Sequence, residues 1–155
     1  MMHRENHHHT AHVEAWLARA AGDAAAPELI AVLERALLAM WDGAKVTLGE
    51  ITLTAIVDRV LFTTAESHPF VSIAKIDGPP TRFEVRVRGD IQSVNRLREV
   101  VRFVLVELLT VLGNLTDEIL TPALNAALAG VGREASQNQR PPNQANDGDA
   151  EGGAR

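Results

Sequence analysis

The sequence predicts a mainly helical α+β fold, in which helices pack on a small antiparallel β-hairpin. Three observations support this prediction. The apolar run at 100–112 is too long for one strand, since strands usually span about 4–8 residues. Several other segments carry apolar residues at helical spacing. By contrast, residues 82–88 alternate between apolar and charged side chains, which is typical of a strand with one buried face.

Two helices are predicted in the first third of the chain. Residues 11–21 have apolar side chains along one side, with Thr10 as the expected N-cap. Residues 27–41 begin with a proline, which suits the first turn of a helix, and Asp42-Gly43 is expected to end this second helix. Because the connection between them is short, a helical hairpin is expected.

The next segments lead to a third helix. Residues 44–48 fit either a short strand or a loop. Residues 50–66 are predicted to be helical because of their length, although their Thr, Ile and Val content also fits strands. Pro69 ends this helix, because the residue before a proline is pushed out of the α region.

Residues 70–76 and 82–88 are predicted to form two antiparallel strands, joined by a loop with two prolines. In the second strand one face is apolar and the other charged, with Phe83, Val85 and Val87 opposite Arg82, Glu84, Arg86 and Arg88. A two-stranded hairpin is marginally stable in water. Helices or another chain must therefore cover its apolar face.

The predicted central helix begins after Asp90, its expected N-cap, ends at Gly113-Asn114, and contains the apolar run at 100–112. It is apolar on nearly all sides, which indicates a buried helix. It is shorter than the roughly 20 apolar residues that cross a bilayer, and it contains Arg102 and Glu107. A membrane span is therefore not expected.

A last helix is predicted within 115–128, where Pro122 must end, kink or restart it, with Thr121 as a possible new N-cap. The polar residues 133–155 show no apolar periodicity and are expected to be a disordered tail. The His-rich residues 1–10 are likewise expected to be disordered alone. The predicted organisation is thus one domain at 11–132 between two polar segments.

Composition narrows the classes of function. A chain of 155 residues suggests one domain, and the absence of cysteine excludes disulfides and thiolate metal sites. The net charge of −5 argues against nucleic acid as a partner. The first residues lack the apolar region of a signal peptide, so a cytoplasmic protein is expected.

The N-terminal histidines are the first candidate site. If the first helix extends backward, His8 and His12 lie one turn apart on one face and could bind a divalent transition metal, the only cofactor that the residues suggest. The alternative is a solvated polar segment that binds metal weakly. His68, in the turn that ends the third helix, is interpreted as structural.

Glu107 is the second candidate, because a carboxylate within an apolar helix is costly unless it is paired. It could act as a general acid or base, or bind a ligand, in a pocket with nearby arginines. The alternatives are an ion pair, for which Arg59 is one possible partner, or a position where the helix meets solvent.

The third candidate is the row formed by Arg82, Arg86 and Arg88, extended by Arg96 and Arg98. Guanidinium groups along one strand face could bind a phosphate or an acidic partner. The alternative is an ordinary solvated sheet face, interrupted by Glu84.

No catalytic or cofactor motif is present. The expected function is therefore a small cytoplasmic protein-interaction or regulatory module that forms a homo-oligomer and binds a protein partner not identified by the sequence. The apolar surface of 100–112 and the open hairpin edge motivate this expectation. The alternatives are a metal-binding or metal-responsive protein using the histidines, and a ligand sensor or enzyme with a pocket near Glu107.

Overall fold

The computed structural model describes residues 2–78, 81–88 and 94–138, with side chains described within 8–135 of these ranges. The described residues form five helices and one two-stranded antiparallel sheet, which confirms the predicted mainly helical α+β fold. In chain order the elements are α1 (Met2–Ala21), α2 (Ala26–Leu48), α3 (Glu50–Ser67), β1 (Val71–Ile76), β2 (Arg82–Val87), α4 (Val94–Leu115) and α5 (Thr121–Asn138).

The central helix is α4, which contacts all four other helices. Its buried side chains have less than about a tenth of their surface exposed, and they include Val100, Val104, Leu105, Leu108, Leu109 and Leu112. Phe103, Val106 and Val111 are partly buried against the same core. The chain therefore covers most of the apolar surface of α4 by itself, which removes one of the two reasons for expecting a partner chain.

The first helix is longer than predicted, since α1 begins at Met2 and includes the histidines. It packs mainly against α4 and α5, and only lightly against α2. Thr10 is therefore not an N-cap, and residues 2–10 are helical rather than disordered. His9 is only 2% exposed, and its Nε2 lies 3.7 Å from Oε1 of Glu118 in the turn between α4 and α5.

The second helix does not end at Asp42-Gly43 as predicted, but continues to Leu48. A glycine costs about 1 kcal/mol relative to alanine inside a helix, yet Trp41 and Ala44 on either side of this pair are buried in the core. This burial outweighs the weak helix propensity. The helix ends at Gly49, whose φ of 80° favours glycine, and α3 starts at the next residue.

The hairpin lies over α2 and α3, with β2 against α2 and β1 against α3. Its register pairs Val71 with Val87, Ile73 with Val85 and Lys75 with Phe83 on the face toward the helices. The ring of Phe83 meets that of Trp41 edge-on at a centroid distance of 6.3 Å. The predicted strands and their alternation are thus present, each one residue shorter at one end.

Of the three outcomes left open for Pro122, the structure has a restart, since α5 begins at Thr121 with Pro122 in its first turn. Residues 116–120 form turns and bends, so the predicted helix does not begin at 115. Asp117 and Glu118 in this turn have positive φ values of 49° and 64°. The last helix continues to Asn138 with Ala135 buried, so the predicted tail does not begin at 133. Residues 139–155 and the predicted N-cap Asp90 lie outside the described residues. Among the described helices, none has an apolar stretch long enough to cross a membrane.

Candidate functional site

A cleft of about 830 Å³ lies between α2, α3 and the end of the hairpin. This volume falls within the roughly 300–1,000 Å³ that is usual for ligand pockets. We name it the Trp41–Lys75 cleft, and it is lined by Leu38, Trp41, Asp42, Lys45, Glu50, Ile51, Thr54, Lys75, Asp77, Gly78 and Thr81. It therefore combines an apolar side with charges of both signs.

Lys75 is the unusual residue of this cleft. The strand alternation places its side chain on the buried face of the hairpin, where it is only 7% exposed. Its Nζ lies 4.3 Å from the centroid of a Trp41 ring, 3.4 Å from Oγ1 of Thr54 and 2.8 Å from Oδ1 of Asp77. Three contacts thus hold one buried ammonium group in place.

The alternation of β1 contains a sequence signal for this site. In β1, Lys75 follows Val71 and Ile73 at the period of two that defines the apolar face. A lysine at such a position breaks the apolar pattern of a buried strand face.

The two edges of the hairpin differ. The backbone N–H of Arg88 donates to the carbonyl of Phe70 at 2.7 Å, which sets the hydrogen-bonding phase of the ladder. In that phase the N–H and C=O groups of Ile73 and Lys75 on β1, and those of Phe83, Val85 and Val87 on β2, point away from the partner strand. On the β2 edge, Val85 N–H donates to the Glu34 carboxylate at 2.9 Å. On the β1 edge, the outward groups of Ile73 and Lys75 have no hydrogen-bond partner among the described residues.

Glu107 is half-buried and lines a second pocket, of about 360 Å³, with Thr10, His68, Glu99, Arg102, Phe103 and Val106. No ion pair joins it to Arg59 or to another cation within the described part of the chain. Arg102 instead pairs with Glu14 of α1 at 2.7 Å. His68 packs edge-on against Phe103 at 5.3 Å. The pocket near Glu107 is present, and the carboxylate meets solvent there.

The structure does not gather the predicted arginine row into one site. Arg82 and Arg88 are exposed, and their positions are roughly 20 Å apart along the strand at about 3.3 Å per residue. Arg86 pairs with Glu84 at 2.7 Å. Arg96 lies over the Phe70 ring at 5.8 Å, while Arg98 donates to the carbonyls of Ala21 and Gly22.

His8 and His12 lie one helical turn apart on α1, as the metal hypothesis required. His8 is exposed and His12 is half-buried. Within the described side chains, no group of three or more His, Cys, Asp or Glu residues is placed to hold a metal ion. Protein zinc sites use three or four protein ligands, so this pair supplies fewer donors than such a site needs.

The pH dependence of stability offers a test of the histidine environment. Burial, together with the nearby charges of His8, Arg19 and His9, lowers the pKa of His12 below its ordinary value. The unfolded chain therefore binds a proton at a pH where the folded chain does not. Stability contributed by neutral His12 is present above about pH 6.5 and is lost as the pH falls toward the lowered pKa.

We expect the variant His12→Gln to lose less stability on acidification than the unaltered chain. Urea unfolding at several pH values between about 5 and 8 checks this. At about pH 8 His12 is neutral in both the folded and the unfolded chain. The difference in unfolding free energy between the two proteins at that pH therefore reports packing effects alone. A difference between the two proteins that stays constant across the range would contradict the lowered pKa.

The chain was compared with protein-family models, curated proteins and solved structures, and no match was found in any of the three.

Proposed function

We propose that the protein is a small cytoplasmic protein-interaction module that forms a homodimer by pairing the β1 edges of two copies. The observation that carries the proposal is the open edge at Ile73 and Lys75, beside a β2 edge that Glu34 covers at Val85. Unpaired edge groups are ready to pair with another strand. The net charge of −5 favours a protein partner over nucleic acid.

A second copy fits this edge because antiparallel pairing of identical strands follows a twofold axis. A register centred on Ala74 pairs Ile73 of one copy with Lys75 of the other, so all four outward-facing residues find backbone partners. The side chains on the outer face of β1 are uncharged, namely Ser72, Ala74 and Ile76. No like charges then face each other on that side of the joined sheet.

The two alternative functions have weaker support. The pocket at Glu107 favours a ligand sensor, but its arginine is already paired with Glu14. The metal-responsive alternative relies on His8 and His12 alone among the described side chains. Homodimerisation through β1 is therefore the function that the geometry supports best.

The test is the absolute mass of the full chain in solution, measured by light scattering on a sizing column over a wide concentration range. We expect a dimer, and we expect Ala74→Lys to weaken it by about tenfold or more, because two ammonium groups then face each other at the twofold axis. The matched control is Ala65→Lys, since Ala65 is exposed on α3.

A monomer at all concentrations would refute the proposal. Equal effects of the two lysine substitutions would also contradict it, because the interface would then not be the β1 edge. Circular dichroism of both variants shows whether each one is folded.

A further inference from the structure

The Trp41–Lys75 cleft contains a buried cation whose counter-charge is exposed. The Lys75 side chain is 7% exposed, whereas its ion-pair partner Asp77 is 80% exposed just after the end of β1. Burying an ammonium group is costly unless it is paired and hydrogen-bonded. The pair with Asp77 is the only ion pair of Lys75 within the described residues.

An exposed carboxylate is a replaceable partner. Water hydrates the Asp77 carboxylate whether or not it contacts Lys75. Breaking the contact therefore costs the aspartate little free energy. The ammonium, by contrast, is held in one position by the Trp41 ring and by Thr54. A ligand carboxylate that entered the cleft would meet a cation already in place, and Asp77 could turn to solvent.

The other residues that line the cleft indicate the size, polarity and charge of a ligand that would fit it. Leu38, Trp41 and Ile51 provide an apolar side suited to an aliphatic or aromatic body. Lys45 is also present, but Asp42 and Glu50 contribute two further carboxylates. These negative charges repel a phosphate or another multiply charged anion more strongly than they repel a single carboxylate.

We propose that the Trp41–Lys75 cleft binds a small monocarboxylic acid with an apolar body, whose carboxylate replaces Asp77 as the partner of Lys75. This site is separate from the proposed dimer interface, because it uses the side chain of Lys75 on the inner face of the hairpin. The dimer uses the backbone edge of the same strand and the outer face of the hairpin at Ala74. Either proposal can therefore fail without the other.

The experiment titrates the full chain with hexanoate and benzoate, using calorimetry and amide chemical shifts in two-dimensional NMR. Hexanamide serves as the uncharged analogue and inorganic phosphate as the multiply charged anion. We expect saturable binding of the acids in the micromolar to millimolar range, and binding at least about tenfold weaker for hexanamide and phosphate.

Two variants make the test specific. Lys75→Met keeps the apolar stem of the side chain and should weaken hexanoate binding by about tenfold or more. Asp77→Asn removes the competing carboxylate and should strengthen binding severalfold. Arg86→Met is the control, since Arg86 is an exposed hairpin cation outside the cleft. Thermal unfolding of each variant, and its mass by light scattering, show whether fold and dimer are intact.

Several outcomes would overturn the inference. Equal binding of hexanoate and hexanamide would mean that the cleft selects apolar bodies without reading charge. Weaker binding by folded Asp77→Asn would mean that the ion pair is needed for the shape of the cleft and is not displaced. Absence of binding by the unaltered, folded chain at millimolar acid would rule out the site altogether.

Discussion

Replacing Trp16 by alanine should lower the free energy of unfolding by about 3–5 kcal/mol, the usual cost of removing a large buried aromatic side chain. Trp16 is 2% exposed, and its Nε1 donates a hydrogen bond to the carbonyl of Leu128. Gly132 leaves room for the indole, because a Cβ at that position would lie 3.0 Å from Nε1. The side chain therefore joins α1 to α5, and its loss leaves a cavity between them.

The matched control for this change is Phe62→Ala, because Phe62 is 65% exposed on α3 and substitutions at such sites usually change stability by about 0.5 kcal/mol or less. Chemical denaturation of both variants measures the difference. Since domains are stable by only about 5–15 kcal/mol, Trp16→Ala should unfold well before the unaltered chain. Similar losses for the two variants would show that α1 is not docked on α5 in solution.

The second large effect is expected for Leu109→Ala in the central helix, at about 2–5 kcal/mol. Leu109 is fully buried, whereas Leu115 at the end of the same helix is 60% exposed. Leu115→Ala should therefore cost about 0.5 kcal/mol or less. The comparison keeps residue type and helix constant and changes only burial.

The same pair of variants tests whether α4 belongs to the core or to an interface. If its apolar side chains were covered by a second subunit, the loss caused by Leu109→Ala would depend on protein concentration, because association shifts apparent stability by mass action. We expect the loss to be independent of concentration, since α4 is surrounded by helices of its own chain. Unfolding at two concentrations far apart distinguishes the two cases.

Elements whose apolar residues recur at a regular spacing were predictable from the sequence. The hairpin followed from alternation at 82–88, and α4 followed from an apolar run too long for a strand. A break at Pro122 was predictable, and the restart at Thr121 was one of the three outcomes that the sequence left open there. Each of these features is set by local backbone geometry and by the spacing of apolar residues, which the sequence states directly.

The candidate sites were less predictable, because each depends on residues far apart in the chain. The ammonium group of Lys75 is fixed in position only because Trp41 of α2 and Thr54 of α3 both contact it beneath the hairpin. The open β1 edge is distinguished from the β2 edge by Glu34, which lies 51 residues before Val85. Glu107 lies within an apolar helix, yet its carboxylate meets solvent at a pocket, which was one of the alternatives that the sequence left open.

The class of the fold, the hairpin and the central helix could thus be predicted from the sequence, since the spacing of apolar residues and the length of each segment carry that information. The tertiary structure decided where helices end and which polar groups are buried. Helix α2 continues past Gly43, and α1 begins before His9, because burial of neighbouring side chains outweighs the weak helix propensity of glycine and histidine. The tertiary structure also places the side chain of Lys75 on the helix-facing side of the hairpin, where packing from three elements removes water from its ammonium group.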